Sequence, residues 1–394
     1  MTASEAQGRT SQEKTTPTRA PRLGGGSLRA TGKVLPEHAR GHNRALVLQT
    51  LFHDGAMSRA DVSRSTGLTR VTISDLVGEL IIDGFVEEKG VREAVGPGKP
   101  AMLIDLARGA HQIIGLDLSG PTPLAGAVIT LDGQILERRE IPAPAHGDGA
   151  TALAAVIGLA RELVEAATAP VLGIGVGTPG IVDQAGVVRS APNYGWTDLA
   201  LQQILESELG LPVVVLNDAN AAVLAEHTFG HATADTLLVK VGLGVGSGLL
   251  AGGEPLRGSH FAAGEIGHVT VGTDGGPPCA CGKIGCLEAW LAAPSLRRRM
   301  AESDDPESVL RDAGERLGIA LAPIVGALDL SEIVLSGPTD LLDGPLSDEA
   351  ASTLRNRTMA LFHDNVVLRM TEQGSDIVLR GTAVMVLSSR LGVS

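Results

Sequence analysis

Aromatic residues are nearly missing from this chain. Two Trp, one Tyr and five Phe are all that its 394 residues contain. A core built on stacked rings is excluded, so the interior must be aliphatic, drawn from Val, Leu, Ile and Ala. Cysteine is scarcer still, at three. An odd number in so long a chain excludes a disulfide framework and fits a reducing cytoplasm. No apolar stretch reaches membrane length and no apolar export segment is present, which excludes a spanning helix and argues against secretion. Basic residues are outnumbered by acidic ones, 32 to 45. A protein that coats nucleic acid with its whole surface is thereby excluded.

What charge there is lies unevenly. The first 100 residues hold 14 Lys and Arg against 11 Asp and Glu, while the remainder holds 18 against 34. An electropositive front end on an acidic body suits contact with nucleic acid through one end only. The length allows two or three domains, and 51 glycines imply many tight turns.

All three cysteines, Cys279, Cys281 and Cys286, fall within eight residues, eleven positions after His268. Three thiolates and one imidazole complete a tetrahedral shell for Zn²⁺ and leave no open position, so such a metal would be structural. The alternative is three ordinary small core residues. Clustering, and the tight turning allowed at Gly282 and Gly285, favour convergence on an ion. Glu265 and Glu288 flank the loop.

Residues 1–38 carry Thr, Ser, Pro, Gly and scattered Arg and Lys with no apolar period, the pattern of a disordered basic arm. Residues 39–108 read as a winged helix-turn-helix. A helical stripe (Ala45, Leu46, Leu48, Leu51) runs from His42 to about Phe52. Ser58 to Asp61 forms a capping-box-like start to a second helix, and Gly67-Leu68 makes the turn. Thr69 caps a third helix whose Val71, Ile73, Leu76, Val77, Leu80 and Ile81 should face inward, with Gly84 as its left-handed stop. Extended runs at Phe85–Glu87 and Ala101–Ile104 flank a wing tip. The start of the third helix should enter the major groove. Thr69, Arg70, Thr72 and Ser74 are its DNA-facing candidates, joined by Arg59 and by Arg92 and Lys99 on the wing. Arg70 can fork onto a guanine or clamp a phosphate. The alternative is a helical adaptor with solvated polar side chains.

From Gln112 the pattern becomes α/β. Strands end at Asp117, at Gly177 and at Leu216, the last followed by Asn217-Asp218 and a helix. Asp218 there either caps that helix or accepts a hydrogen bond from a bound hydroxyl, as a general base would. Glu265 and Glu288, if the metal loop brings them together, suit a polyhydroxylated ligand. Asn193 could add an amide, and Trp196 either stacks on a sugar or sits in the core. Gly242, Gly244, Gly246 and Gly248 either let backbone N–H groups approach phosphates or form a glycine-rich turn.

Gly264-Glu-Ile-Gly-His268, followed by Cys-x-Cys-Gly-x-x-Gly-Cys-Leu-Glu288, resembles the ROK family of sugar kinases and sugar-responsive repressors. The order of Asn217-Asp218, the glycine-rich stretch and this loop matches as well, and Gly381-Thr-Ala-Val-Met-Val-Leu is similar to the family's terminal helix. The resemblance covers about residue 40 to the C-terminus. It implies that residues 109–394 form a two-lobed, actin-like, hexokinase-type (ribonuclease H-like) body. It implies zinc on His268, Cys279, Cys281 and Cys286. It implies sugar contacts from Asn193, Asn217, Asp218, Glu265, His268 and Glu288, with Asp218 at the place of the kinases' base. A winged helix is what the repressor branch adds.

One departure separates the branches. The kinases carry Asp-x-Gly-Gly-Thr-Lys around the nucleotide phosphates, and here Asp117-Leu-Ser119-Gly120-Pro121-Thr122 stands in its place. Proline removes a backbone donor and the lysine's charge is gone. Positioning and electrostatics carry most of phosphoryl-transfer catalysis. The expectation is therefore a cytoplasmic, sugar-responsive repressor rather than an enzyme, with double-stranded operator DNA and a small sugar as partners. It should act as a homodimer or homotetramer, away from membranes. The alternative is an ATP-dependent sugar kinase with a DNA-binding head and Asp218 as base.

Overall fold

Caps and glycines set the boundaries of the first elements. The computed structural model describes residues 36–91, 101–120, 123–142, 147–272, 275–359 and 366–393. Helix α1 (Pro36–Asp54) starts at Pro36 instead of His42, so the last residues assigned to the basic arm belong to it. Proline is tolerated in a first helical turn. The rest of that arm, residues 1–35, lies outside the described residues, as do Arg92, Lys99, Pro121 and Thr122. Strand β1 (Met57–Ser58) leads into helix α2 (Arg59–Thr66). The Ser58 hydroxyl accepts from the Asp61 N–H, and an Asp61 carboxylate oxygen accepts from the Ser58 N–H, a reciprocal capping box. Gly67 closes α2 at φ 72°. Thr69 then caps helix α3 (Arg70–Ile82) by accepting from the Thr72 N–H at 3.2 Å.

Four of the six apolar residues expected inside on α3 are buried: Ile73, Leu76, Val77 and Leu80. Ile81 is partly covered, but Val71 is 72% exposed. Two positions from Ile73 is roughly 200° around a helix, which turns Val71 outward. Strands β2 (Val86–Val91) and β3 (Met102–Leu106) pair antiparallel, and β1 joins the free edge of β3, giving the order β1-β3-β2. Arg40 pairs with Glu79, and Arg44 with Asp83 at 2.6 Å, so α1 neutralises two carboxylates near the end of α3.

The body repeats one topology twice. Strands β4 (Gln112–Asp117), β5 (Leu124–Thr130) and β6 (Ile135–Ile141) form an antiparallel meander, followed by helix α4 (Gly149–Ala166) and strand β7 (Val171–Thr178). A small sheet of β8 (Ile181–Val182), β9 (Val188–Ala191) and β10 (Trp196–Leu199) intervenes. Helix α5 (Leu201–Leu209), strand β11 (Val213–Asn217) and helix α6 (Asp218–Thr228) complete the first lobe. Its sheet order is β11-β7-β4-β5-β6, with β4, β7 and β11 parallel. The second lobe opens with the meander β12 (Thr236–Val241), β13 (Val245–Ala251) and β14 (Glu254–Pro255). Helices α7 (Leu287–Leu291), α8 (Ala293–Ala301) and α9 (Pro306–Leu328) lead to strand β15 (Glu332–Ser336). Helices α10 (Thr339–Leu342) and α11 (Pro345–Arg357) precede strand β16 (Val367–Met370) and the terminal helix α12 (Ile377–Leu391). Its order is β14-β13-β12-β15-β16. In each lobe the meander's first strand takes the parallel pair on its other side, because hairpins need short turns and parallel neighbours need helical crossovers.

Each lobe has its own aliphatic core, and α6 and α12 pack together between the two. A further apolar cluster is shared. It joins Val47, Leu51 and Leu80 of the winged helix to Ile113, Ala127 and Ile129 of the first lobe and to Leu387 and Leu391 of α12. Phe85 stacks on His111 at 4.5 Å between ring centroids in the same region. Head and body are therefore bonded by burial rather than hung on a linker, and both lie within one compact unit, Leu35–Ser394.

Candidate functional site

The Cys/His loop is folded by short hydrogen-bonded turns. A 3-10 turn, Ile266–His268, presents His268. The Cys279 N–H bonds to the Lys283 carbonyl and the Gly282 N–H to that of Cys279, while Cys286 stands at the start of α7. His268, Cys279, Cys281 and Cys286 thereby offer four ligand atoms that all lie within 4.8 Å of one another. Cys279 Sγ is 3.7 Å from His268 Nδ1, and Cys281 Sγ is 3.6 Å from Cys286 Sγ. The group can hold a metal ion. Burial pushes the Cys279 and Cys286 thiols up, whereas a backbone hydrogen bond at Lys283 lowers that of Cys281.

The glycines of the motif are packing devices. A Cβ on Gly264 or Gly267 would strike the Ser247 or the Val245 carbonyl. Their absence lets the turn lie flat on β13 and sets Glu265 over the cleft. The glycine-rich segment Gly242–Gly248 is not a single turn, since Gly246 and Gly248 lie inside β13. Gly248 abuts the Ala219 carbonyl of α6, and Gly244 makes room for the Glu288 carboxylate. Glu288 Oε2 accepts from the Val245 N–H at 3.1 Å, and its other oxygen lies 3.6 Å from Cys279 Sγ. Glu288 is thus tied to both the metal loop and the glycine turn.

Asn217, not Asp218, caps α6. Its Oδ1 accepts from the Ala219 and Asn220 N–H groups, and its Nδ2 donates to the Gly180 carbonyl at 2.9 Å. That leaves the Asp218 carboxylate available to the cleft. Glu265 is held above the ordinary carboxylate range, first by burial and then by the nearby Asp218 and Glu288 carboxylates, with His268 opposing them. Asp218, Glu265, His268 and Glu288 are therefore brought to one place. Asn193 is exposed on the 3-10 turn Pro192–Tyr194. Trp196 is 5% exposed, stacks on Tyr194 and donates to the Gly149 carbonyl. It is a core residue and not a sugar platform.

Two residues were not anticipated. Lys240 on β12 reaches across the cleft, with Nζ 2.9 Å from Asp218 Oδ2 and 2.9 Å from Ser119 Oγ. The Ser119 hydroxyl donates to Asp117 Oδ1 at 2.6 Å, and the Ser119 N–H donates to the same oxygen at 2.8 Å. Tyr194 donates its phenol to the Leu118 carbonyl, and burial followed by the Asp117 and Asp218 charges raises that phenol's pKa. A lone lysine inside the apolar run Leu237-Leu-Val-Lys-Val241 was the available signal.

On the winged helix, Thr69, Arg70, Val71 and Ser74 are exposed at the start of α3. Arg70 has no ion-pair partner among the described residues. Thr72 is half-buried, with its hydroxyl 2.9 Å from that of Thr69. Arg59 is paired with Glu88 of β2 at 3.1 Å. Among the described residues no helix is long and apolar enough to cross a membrane.

Residues 113–389 match the model of the ROK family. The chain is 35% identical over 309 residues to a candidate xylose repressor of Caldicellulosiruptor sp. (strain Rt8B.4), covering 76% of each chain. It is 37% identical over 228 residues to a glucokinase of Halalkalibacterium halodurans, covering 56% of this chain and 69% of that one. A solved structure described as a ROK family transcriptional regulator, homologous to the E. coli Mlc protein, superposes with a TM-score of 0.79. It covers 90% of this chain and 98% of its own at 24% identity, a likeness of fold that extends over the head as well as the body. The chain belongs to the ROK family.

Proposed function

We propose that this protein is a sugar-responsive DNA-binding regulator, a repressor of carbohydrate-utilisation genes. Residues 39–108 form its DNA head and residues 109–394 its sensor. The observation that carries the reading is the shared apolar cluster. A head with an exposed, unpaired arginine at the start of its recognition helix is packed directly on the lobe whose strand ends line the cleft. Two such heads in a homodimer, or in a homotetramer, would occupy half-sites about one helical turn apart. Thr69, Arg70, Thr72 and Ser74 would meet the DNA, with Arg59 beside them and Arg92 and Lys99 on the wing.

The sugar would lie among Asn193, Asn217, Asp218, Glu265, His268 and Glu288. Fixed carboxylate acceptors suit hydroxyl donors. Zinc fits the Cys₃His set. Ligand–ligand edges of a tetrahedral shell with Zn–S of about 2.3 Å are about 3.8 Å, close to the 3.6 and 3.7 Å separations found, and thiolate-rich sets favour zinc. When bound, it supplies a closed structural cross-link. His268, Cys279, Cys281 and Cys286 would hold it, and through them Glu265 and Glu288 keep their places. Reduced thiols suit the cytoplasm.

Sugar controls DNA only if it binds the two states of the head unequally. The test is an anisotropy titration of operator DNA with zinc-loaded protein against a panel of sugars. Xylose heads the panel because the 35% identical relative carries that name. A sugar that changes operator affinity supports the reading, and a panel without effect removes it. The second reading, an ATP-dependent sugar kinase with Asp218 as base, is favoured by an Asp218 carboxylate that is not used to cap α6. Sugar-dependent ATP turnover lost in Asp218→Asn would establish it. Against it stands the occupied Asp117–Ser119 corner, and we assign the protein no catalytic role.

A further inference from the structure

Lys240 comes from the second lobe, yet among the described residues the polar partners of its ammonium lie at the first lobe's strand ends. Asp218 Oδ2 and Ser119 Oγ each accept at 2.9 Å, and Ser119 in turn holds Asp117. The Lys240 and Asp218 side chains are only 18% and 14% exposed. Burial opposes the ammonium, and the Asp218 and Asp117 charges outweigh it, so Lys240 stays protonated. Asp117 is raised by burial, with Lys240 and the Ser119 hydrogen bonds working the other way.

Two carboxylates at the ends of β4 and β11, the strands that flank β7, are the oxygen ligands that a divalent cation and its nucleotide would seek. A compact ammonium already stands among them. We infer that Lys240 is the resident counter-cation of Asp117 and Asp218. It anchors the Asp218 carboxylate as an acceptor for an uncharged sugar hydroxyl, and it excludes a divalent cation, with any nucleotide that the cation carries, from the cleft. Ser119 is part of the same device, since its hydroxyl links the ammonium to Asp117. The ligand class follows. With Asp117, Asp218, Glu265 and Glu288 against one lysine, the cleft favours a neutral polyol over a phosphorylated or carboxylated one. This specificity role rests on the sugar-sensor reading.

The test titrates Mn²⁺, alone and with ADP, into zinc-loaded full-length protein and follows free Mn²⁺ by electron paramagnetic resonance. Mn²⁺ prefers oxygen ligands and does not compete for the thiolate site. Wild type and Lys240→Arg should leave Mn²⁺ free. Lys240→Met should gain one site, roughly tenfold or more tighter than wild type, because a like charge has been removed from the place of the cation. Asp218→Asn combined with Lys240→Met should lose that site again. Mn²⁺ uptake by wild type or Lys240→Arg overturns the inference, and both can be measured whether or not Lys240→Met folds. A folded Lys240→Met with wild-type zinc content and no Mn²⁺ site overturns it too. Sugar calorimetry on wild type is read separately. If no sugar binds, the sensor reading fails while the Mn²⁺ comparison keeps its meaning.

Discussion

The two lobes place the same hairpin turn at the same point of the same topology, between the first and second strands, and use it in opposite ways. In the second lobe the turn is Gly242–Gly244, and the missing side chain at Gly244 admits the Glu288 carboxylate to the backbone of β13. In the first lobe the turn after β4 carries Ser119, whose hydroxyl closes on Asp117 and receives Lys240. One turn admits the Glu288 carboxylate, and the other is closed by Asp117, Ser119 and Lys240. A cleft can keep a sugar side and lose a phosphate side without any change of fold, because each depends on a few side chains at strand ends.

Removing the metal loop should break the open side with the largest effect. Cys286 is fully buried and starts the helix that carries Glu288. Cys286→Ser should lose zinc and at least about 3 kcal/mol of stability, a fraction of what structural zinc contributes in small modules. That corresponds to a fall in Tm of roughly 6 °C or more. Metal analysis beside thermal unfolding checks it, and full stability without metal would show that the loop stands unaided.

Asp218 touches both sides of the comparison, so its substitution sharpens the contrast. Asp218→Asn removes a charged acceptor and should weaken sugar binding by about 1.5–3 kcal/mol, the range for hydrogen bonds to charged groups. It also strips Lys240 of its main partner. Calorimetry on Asp218→Asn, Lys240→Met and the double variant separates the two effects, since residues in direct contact do not add. Perfect additivity would mean that the ion pair has no part in the sugar site.

The head supplies the outside reference. Arg70→Ala should cost roughly 1–3 kcal/mol of operator affinity if it reads a base, while the ratio of affinities with and without sugar stays at its wild-type value. A changed ratio with unchanged affinity would place Arg70 in the coupling between domains instead of on DNA.

Legibility in the sequence followed the range of the forces. Caps, turns and strand ends are local, and Ser58, Thr69, Gly84 and the strands from Gln112 onward lie where the pattern puts them. The cluster of His268 and the three cysteines, which can hold a metal ion, was legible because its members are close in sequence. Lys240 was not, because its partners Ser119 and Asp218 lie on the other lobe and only the folded chain brings them within 2.9 Å. The choice between core and sugar platform for Trp196, and the partner of Arg59, were open in the sequence for a related reason. An indole that donates to Gly149 and a guanidinium that pairs with Glu88 find their partners far along the chain. The continuity of head and body through α12 was equally invisible, since a buried helix face does not announce what it packs against.

Val71 turns that limit into the smallest and most specific prediction. Apolar periodicity assigns it to the core, but its place two residues before Ile73 leaves it 72% exposed beside Arg70. An exposed branched side chain at the start of a recognition helix has nothing to gain from water. In the major groove it can cover the C5-methyl group of a thymine, the apolar mark that distinguishes T·A. Val71→Ala should then cost about 1 kcal/mol, the scale of a few tens of Å² of apolar contact. The loss should be confined to operators with thymine at one position and absent when that thymine is replaced by uracil, which lacks the methyl group. Equal losses on both operators would mean that Val71 shapes the helix start instead of reading a base. No loss on either would leave Arg70 and its hydroxyl neighbours to carry the recognition alone.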